Sequence, residues 1–163
     1  MKPSRILRTV LLAGIVVSTI GCDQATKHMA RTHLAGSTLS FVGGCVRIAL
    51  AQNEGGFLSI GASLPSGLRA TVFLLGVASG LLVAAVYLVR TPSLRFSALL
   101  CAWLVWAGGL SNLLDRAFFA GRVTDFMTVG LGPLHTGVFN LADVAIMAGG
   151  VLLVCDLTDG SRE

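Results

Sequence analysis

Residues 69–90 read RATVFLLGVASGLLVAAVYLVR, twenty uncharged and mostly apolar residues between Arg69 and Arg90. At a rise of about 1.5 Å per residue, a helix of that length crosses the roughly 30 Å hydrocarbon layer of a bilayer. A second run, Phe96 to Leu114, places 19 uncharged residues between Arg95 and Asp115. Upstream, Thr9 to Cys22 holds 14 such residues between Arg8 and Asp23, and reaches spanning length if the helix continues to Lys27. The last run starts near Val138 and ends at Cys155, interrupted by Asp143. The expected spans are about 8–27, 69–90, 95–115 and 138–157, with loops 28–68 and 116–137 on one side.

Composition agrees with this reading. The chain has 163 residues, 54% hydrophobic and 12% charged. Soluble domains carry about 25% charged residues, so this chain is built for lipid. A disordered chain, a collagen-like chain and a nucleic-acid-binding arm are excluded, and no nucleic-acid partner is expected. The length suits one integral membrane domain covering residues 1–163. Lysine and arginine set the orientation. Residues 1–8, 90–95 and 158–163 hold six of them in 20 positions, against five in the 65 positions of residues 28–69 and 115–137 on the other side. Both termini are therefore expected in the cytoplasm, with the longer loops outside.

Within the first outer loop, residues 38–42 and 46–50 alternate loosely around Gly43-Gly44, which predicts a small β-hairpin on the membrane surface. Short surface helices are expected near residues 64–68. The fold class is thus an all-α membrane protein: four transmembrane helices and a small β-rich element on the periplasmic side. Cys22, Cys45, Cys101 and Cys155 have no paired spacing, and His28, His33 and His135 have no ligand spacing, so no metal is expected.

Eight residues are acidic, and five of them cluster at the outer ends of spans or in the outer loops: Asp23, Glu54, Asp115, Asp125 and Asp143. Ionisable groups at membrane depth mark functional sites. Asp143 lies about 7.5 Å down the fourth helix from Val138, partly desolvated. Asn140 precedes it by three residues, and Asn112 stands in the same relation to Asp115, which is followed by Arg116. Asp23 and Lys27 are spaced i, i+4 in the favoured acid-first order. Two carboxylates close together in a partly dry site cannot both ionise easily. One then serves as general base on water while the other hydrogen-bonds a carbonyl, as in aspartic proteases.

These residues fall into ordered motifs. Asp23-Gln24-x-x-Lys27 is followed by Gly108-Gly109-Leu110-Ser111-Asn112-Leu113-Leu114-Asp115-Arg116, then Val123-Thr124-Asp125-Phe126, then Phe139-Asn140-Leu141-Ala142-Asp143. The series resembles the lipoprotein signal peptidase (signal peptidase II) family, whose motifs are DQ-x-x-K, GG-x-x-GN-x-x-DR, VVDF and FN-x-AD. The resemblance covers nearly the whole chain. It implies an aspartic endopeptidase of the bacterial inner membrane, a target of globomycin, that cleaves diacylglyceryl-modified prolipoproteins just before the lipidated Cys. It implies Asp125 and Asp143 as the catalytic pair. Asp23, Lys27, Asn53, Asn112, Asp115, Arg116 and Asn140 become substrate-binding or supporting residues. Neither metal nor organic cofactor is implied. The chain departs from the motifs at Ser111, where the family has Gly, and at Thr124, where it has Val. It also departs at Asn53-Glu54-Gly55-Gly56-Phe57, one residue shorter than N-x-G-x-x-F.

Plainer readings exist for each feature. Asp125 and Asp143 also suit helix caps or partners for arginine. Trp103 and Trp106 read as lipid- or bundle-facing residues. A small four-span transporter also carries intramembrane acids, though near the middle of a span. Thr19-Ile20-Gly21-Cys22 is a degenerate lipobox, so a cleaved lipoprotein signal is the alternative to a retained first span. Intact-mass spectrometry of the purified protein separates the last two. A retained Met1 region is the expected result, and a chain beginning at a lipidated Cys22 would refute the retained span.

Overall fold

The computed structural model describes residues 4–55, 65–91 and 94–159. The first helix, α1 (Arg5–His33), opens at Ser4, whose hydroxyl accepts from the Leu7 amide at 3.2 Å. Its 29 residues exceed what about 30 Å of hydrocarbon requires, so its last turns rise past the apolar layer. The sequence reading ended this span at Lys27, whereas the helix continues through residues 28–33. The cause is a polar stripe, Asp23, Lys27 and Arg31, one turn apart and packed against protein rather than water.

The second span is assembled from α2 (Ser66–Thr71), a π-helical stretch (Val72–Gly76) and α3 (Val77–Arg90). Of the expected surface helix at 64–68, residue 64 lies outside the described residues, and α2 begins at Ser66. The third and fourth spans are α4 (Phe96–Phe118) and α5 (Leu141–Asp159). Among the described residues, four helices are long and apolar enough to cross a membrane.

α4 is the central helix, packed on α1 and α5 and against α3. It buries Ala107, Gly108, Ser111, Asn112, Asp115 and Arg116, a face that turns from small to polar towards its C-terminal end. Close approach to α5 depends on two glycines. A Cβ on Gly108 would lie 2.6 Å from the Ala142 carbonyl oxygen, and one on Gly149 would lie 2.9 Å from that of Cys101. Small residues let membrane helices touch backbone to backbone, since lipid offers no hydrophobic drive between helices. On the other side of α4, the Trp106 indole donates to the Leu81 carbonyl at 2.7 Å, so this tryptophan ties α4 to α3.

Beyond the helix ends, β1 (Thr38–Phe41), β2 (Val46–Asn53), β3 (Val123–Leu131) and β4 (Leu134–His135) form an antiparallel sheet in chain order. The β1–β2 hairpin stands where Gly43-Gly44 placed it, with Thr38 opposite Ala49 and Phe41 opposite Val46. Gly43 and Gly44 take φ of 62° and 92°, values that favour glycine. The β3 strand, from the second loop, was not foreseen, although Val123, Thr124, Phe126, Thr128 and Val129 supply strand-forming residues. It pairs with β2 through Ile48 opposite Met127 and Ala51 opposite Asp125, a register shift that leaves a bulge beside Asp125. Met127 and Phe139 exchange backbone bonds of 2.8 and 2.9 Å, which draws the start of α5 against β3.

The glycine contacts predict a graded response. Gly108→Ala and Gly149→Ala should each destabilise the protein by about 1–3 kcal/mol through overpacking. Gly80→Ala, with nothing within 4 Å of the new methyl, should leave the melting temperature unchanged or raised. Thermal unfolding in detergent measures all three.

Candidate active site

α1, α4, β3 and the first turn of α5 meet at one rim of the bundle, and every charged group buried there has a partner. Asp23 and Lys27 on α1 form an ion pair at 2.7 Å with both side chains fully buried. The Lys27 ammonium also donates to Asn112 Oδ1 at 2.7 Å and lies 3.6 Å from Asp115 Oδ2. A buried ammonium is costly unless it is paired and hydrogen-bonded; here two oxygens bond it directly and the Asp115 charge adds to its pairing.

Asp23 and Asp115 each tie elements together. Asp23 accepts from Ser111 Oγ at 2.7 Å and from the Ala142 amide at 2.8 Å. That amide is an orphan donor in the first turn of α5, so Asp23 places negative charge at a helix N-terminus. Asp115 accepts from the Thr124 amide at 2.8 Å and from Gln24 Nε2 at 3.0 Å. α4 is thereby joined to both β3 and α1.

The FN-x-AD motif forms a reciprocal cap. Asn140 Oδ1 accepts from the Asp143 amide at 2.9 Å, and Asp143 Oδ2 accepts from the Asn140 amide at 3.1 Å. The side-chain nitrogen of Asn140 donates to Asp125 Oδ1 at 2.6 Å. A single side chain therefore holds the backbone of one aspartate and the carboxylate of the other. Asn112 Nδ2 supports Asp143 Oδ1 at 2.9 Å, and Asn53 Nδ2 supports Asp125 Oδ2 at 3.0 Å. Asp125 is 2% exposed, while Asp143 is half-buried. Burial pushes the Asp125 carboxyl up to about 6, and the nearby Asp143 charge adds to the rise. Hydrogen bonds from Asn53 and Asn140 and the Lys27 charge oppose it.

Arg116 reaches from α4 to the Gly55 carbonyl at 2.9 Å and to the Asn112 carbonyl at 3.3 Å, with its guanidinium 5.4 Å from the Phe73 ring. The loop after β2 is held again where the Gly55 amide donates to Asn53 Oδ1 at 3.0 Å, and Arg122 pairs with Glu54 at 3.0 Å on the surface. Residues 56–59, which the sequence reading placed in the same loop, lie outside the described residues. A groove of about 860 Å³ opens beside Asn53 and Asp143 and continues along the apolar α5 residues Val144, Met147, Val151 and Leu152. Its polar end is at Asn53 and Asp143, and its apolar wall runs along α5.

Asp23, Lys27, Asn53, Asn112, Asp115, Arg116, Asp125, Asn140 and Asp143 thus converge on one connected region. Sequence reasoning passed over four contributors. Ser111 reads as a motif departure yet is fully buried and bonded to Asp23. Gln24 donates to Ser111 Oγ and Asp115. Arg31 and Thr124 meet at 2.8 Å. Their signals were present: Gln24 adjoins Asp23, and Arg31 continues the four-residue spacing of Asp23 and Lys27.

A membrane-spanning helical bundle with paired carboxylates at one rim, opening on an apolar groove, defines a class of multi-pass membrane enzyme. Solved structures agree on the fold. One bacterial membrane enzyme superposes with a TM-score of 0.78 at 24% identity, covering 90% of this chain and 92% of that one. Another superposes at 0.77 and 22% identity, covering 93% and 89%. The family described as "Signal peptidase (SPase) II" matches residues 15–158, and this chain belongs to it. The chain is 34% identical over 158 residues to the lipoprotein signal peptidase of Syntrophus aciditrophicus, covering 94% of each protein. It is also 34% identical over 154 residues to that of Bifidobacterium adolescentis, covering 90% of this chain and 75% of that protein. It is therefore a multi-pass bacterial membrane protein of a peptidase family. A transport reading finds no support in α3, which carries no acid between Val77 and Arg90.

The ion-pair geometry predicts unequal costs. Lys27→Met strands the Asp23 carboxylate and should destabilise the protein by about 3–5 kcal/mol. Arg122→Gln removes a surface pair and should cost no more than about 1 kcal/mol. Denaturant or thermal unfolding in micelles compares them.

Proposed function

We propose that this protein is an intramembrane aspartic endopeptidase that removes the signal peptide from diacylglyceryl-modified prolipoproteins, cutting just before the lipidated Cys. The observation that carries the reading is the Asn140 bridge, one amide side chain bonded to Asp125 and locked in a reciprocal cap with Asp143. Family membership supplies the substrate class, and the paired carboxylates supply the chemistry.

Charge balance sets the working state of the pair. Asp23, Asp115, Asp125 and Asp143 face Lys27, Arg31 and Arg116 across the same cluster. Four carboxylates and three cations are neutral together when one proton is bound, and the Asp125–Asp143 pair holds it. The ionised member accepts a proton from water as the water oxygen bonds to the scissile carbonyl carbon. The protonated member hydrogen-bonds the carbonyl oxygen and stabilises the charge that develops there. The C–N bond then breaks, and the Cys nitrogen leaves with a proton returned from the pair. Asn112 supports Asp143, and Arg116 holds the Gly55 carbonyl of the loop beside the pair, which supports a role for both in fixing the site.

The groove along α5 supports delivery of substrate from the membrane. Its apolar wall accepts hydrocarbon, and its polar mouth brings the scissile bond to Asp143. The lysine and arginine bias supports cytoplasmic termini and a site facing the outer side of the cytoplasmic membrane. The whole chain works as one membrane domain, without metal or organic cofactor.

Purified protein with a diacylglyceryl prolipoprotein tests this. The wild type should cleave before the lipidated Cys, and folded Asp125→Asn and Asp143→Asn variants should lose at least about 10³-fold in kcat. Near-normal turnover in either variant would refute the pair. The carboxyl pushed up to about 6 holds the pair's proton below that pH and loses it above. Activity should therefore fall as pH rises through about 6, where the pair loses the one proton that its working state holds. A rate unchanged from about pH 5 to about pH 8 would contradict the assignment.

A further inference from the structure

Thr124 precedes Asp125 and is completely buried. Its three polar groups reach three different helices. The amide donates to Asp115 Oδ2 on α4 at 2.8 Å. The carbonyl accepts from Asn140 Nδ2, the N-cap of α5, at 3.4 Å. The hydroxyl accepts from Arg31 Nη1 on α1 at 2.8 Å. The Arg31 guanidinium stacks 4.2 Å from the Phe119 ring centre and lies 3.7 Å from Asp115 Oδ2. An arginine fixed by a ring, a hydroxyl and a carboxylate has lost most of its rotamer freedom. The strand is consequently pinned from three directions at the residue next to Asp125, across from the bulge in β2.

We propose that Arg31 and Thr124 form a positioning pair that sets the place and the ionisation of Asp125, resting on the aspartic endopeptidase reading above. The contact explains a departure from the family's VVDF motif, since valine at position 124 would leave Arg31 without its acceptor on β3. Arg31 also provides one of the three cations that balance the four carboxylates. Removing it favours a second bound proton. The other charged groups facing this junction are Asp23 and Lys27 from α1, Asp115 and Arg116 from α4, and Asp143 from α5.

Arg31→Met, Arg31→Lys, Thr124→Val and the Arg31→Met/Thr124→Val double variant test the pair, with folding confirmed by thermal melt. Two readouts are taken. The first is kcat and KM on a diacylglyceryl prolipoprotein. The second needs no turnover: carbodiimide labelling of Asp125 against pH, located by peptide mass spectrometry. Arg31→Met and Thr124→Val should each lower kcat by about 10- to 100-fold, because small displacements of a reacting group have effects of that order. KM should stay within about twofold, and the double variant should be no worse than the poorer single one, as contacting residues behave. The labelling midpoint should move to higher pH in Arg31→Met and return towards wild type in Arg31→Lys, which keeps the charge. An unmoved midpoint in Arg31→Met, or effects that add in full in the double variant, would overturn the proposal. A wild type that cleaves nothing would instead overturn the endopeptidase reading, while the labelling curve still decides the pair.

Discussion

The buried Lys27 ammonium is the constraint on which the rest of the site depends. It has no exposed surface and makes close contacts with Asp23, Asn112 and Asp115. A cation at the edge of hydrocarbon holds those three oxygens in one place, and each oxygen-bearing residue then holds something else. Asp23 caps α5, Asn112 supports Asp143, and Asp115 grips the β3 backbone. The position of both proposed catalytic carboxylates therefore follows from one buried, paired charge. Such a network is stable only when complete, because low dielectric penalises every unpaired member.

Capping gives the arrangement a second economy. Asn140 and Asp143 satisfy amides that any helix start leaves open, so the start of α5 and the site are the same structure. Asp125 comes from a strand instead, and the Met127–Phe139 backbone bonds bring that strand to the helix cap. Helix, sheet and membrane rim meet at Asn140. The apolar groove begins at that meeting point and runs along α5, so chemistry and lipid contact share one helix.

Much of this was legible in the sequence. Charge-free runs fixed the spans because hydrocarbon tolerates little else, and Gly43-Gly44 marked the hairpin because positive φ favours glycine. The acids stood out because membrane depth makes each one expensive. The helical extent of residues 28–33 was hidden, since the polarity that reads as loop is there the polarity of a buried network. β3 was hidden because its pairing is with β2, some 75 residues earlier in the chain. Ser111 and Thr124 read as departures from motifs, and only their partners, Asp23 and Arg31, give them a purpose.

The central claim is that Asp125 and Asp143 share one proton below about pH 6 as a single titrating unit. Infrared spectroscopy of the protein in hydrated membranes measures it directly, by the carbonyl stretch of protonated carboxylic acids. The account predicts one such band at about pH 5 in the wild type, absent from Asp125→Asn and appearing only at lower pH in Asp143→Asn, which removes the neighbouring charge. A wild-type spectrum without the band, or a band that persists in both variants, would contradict it.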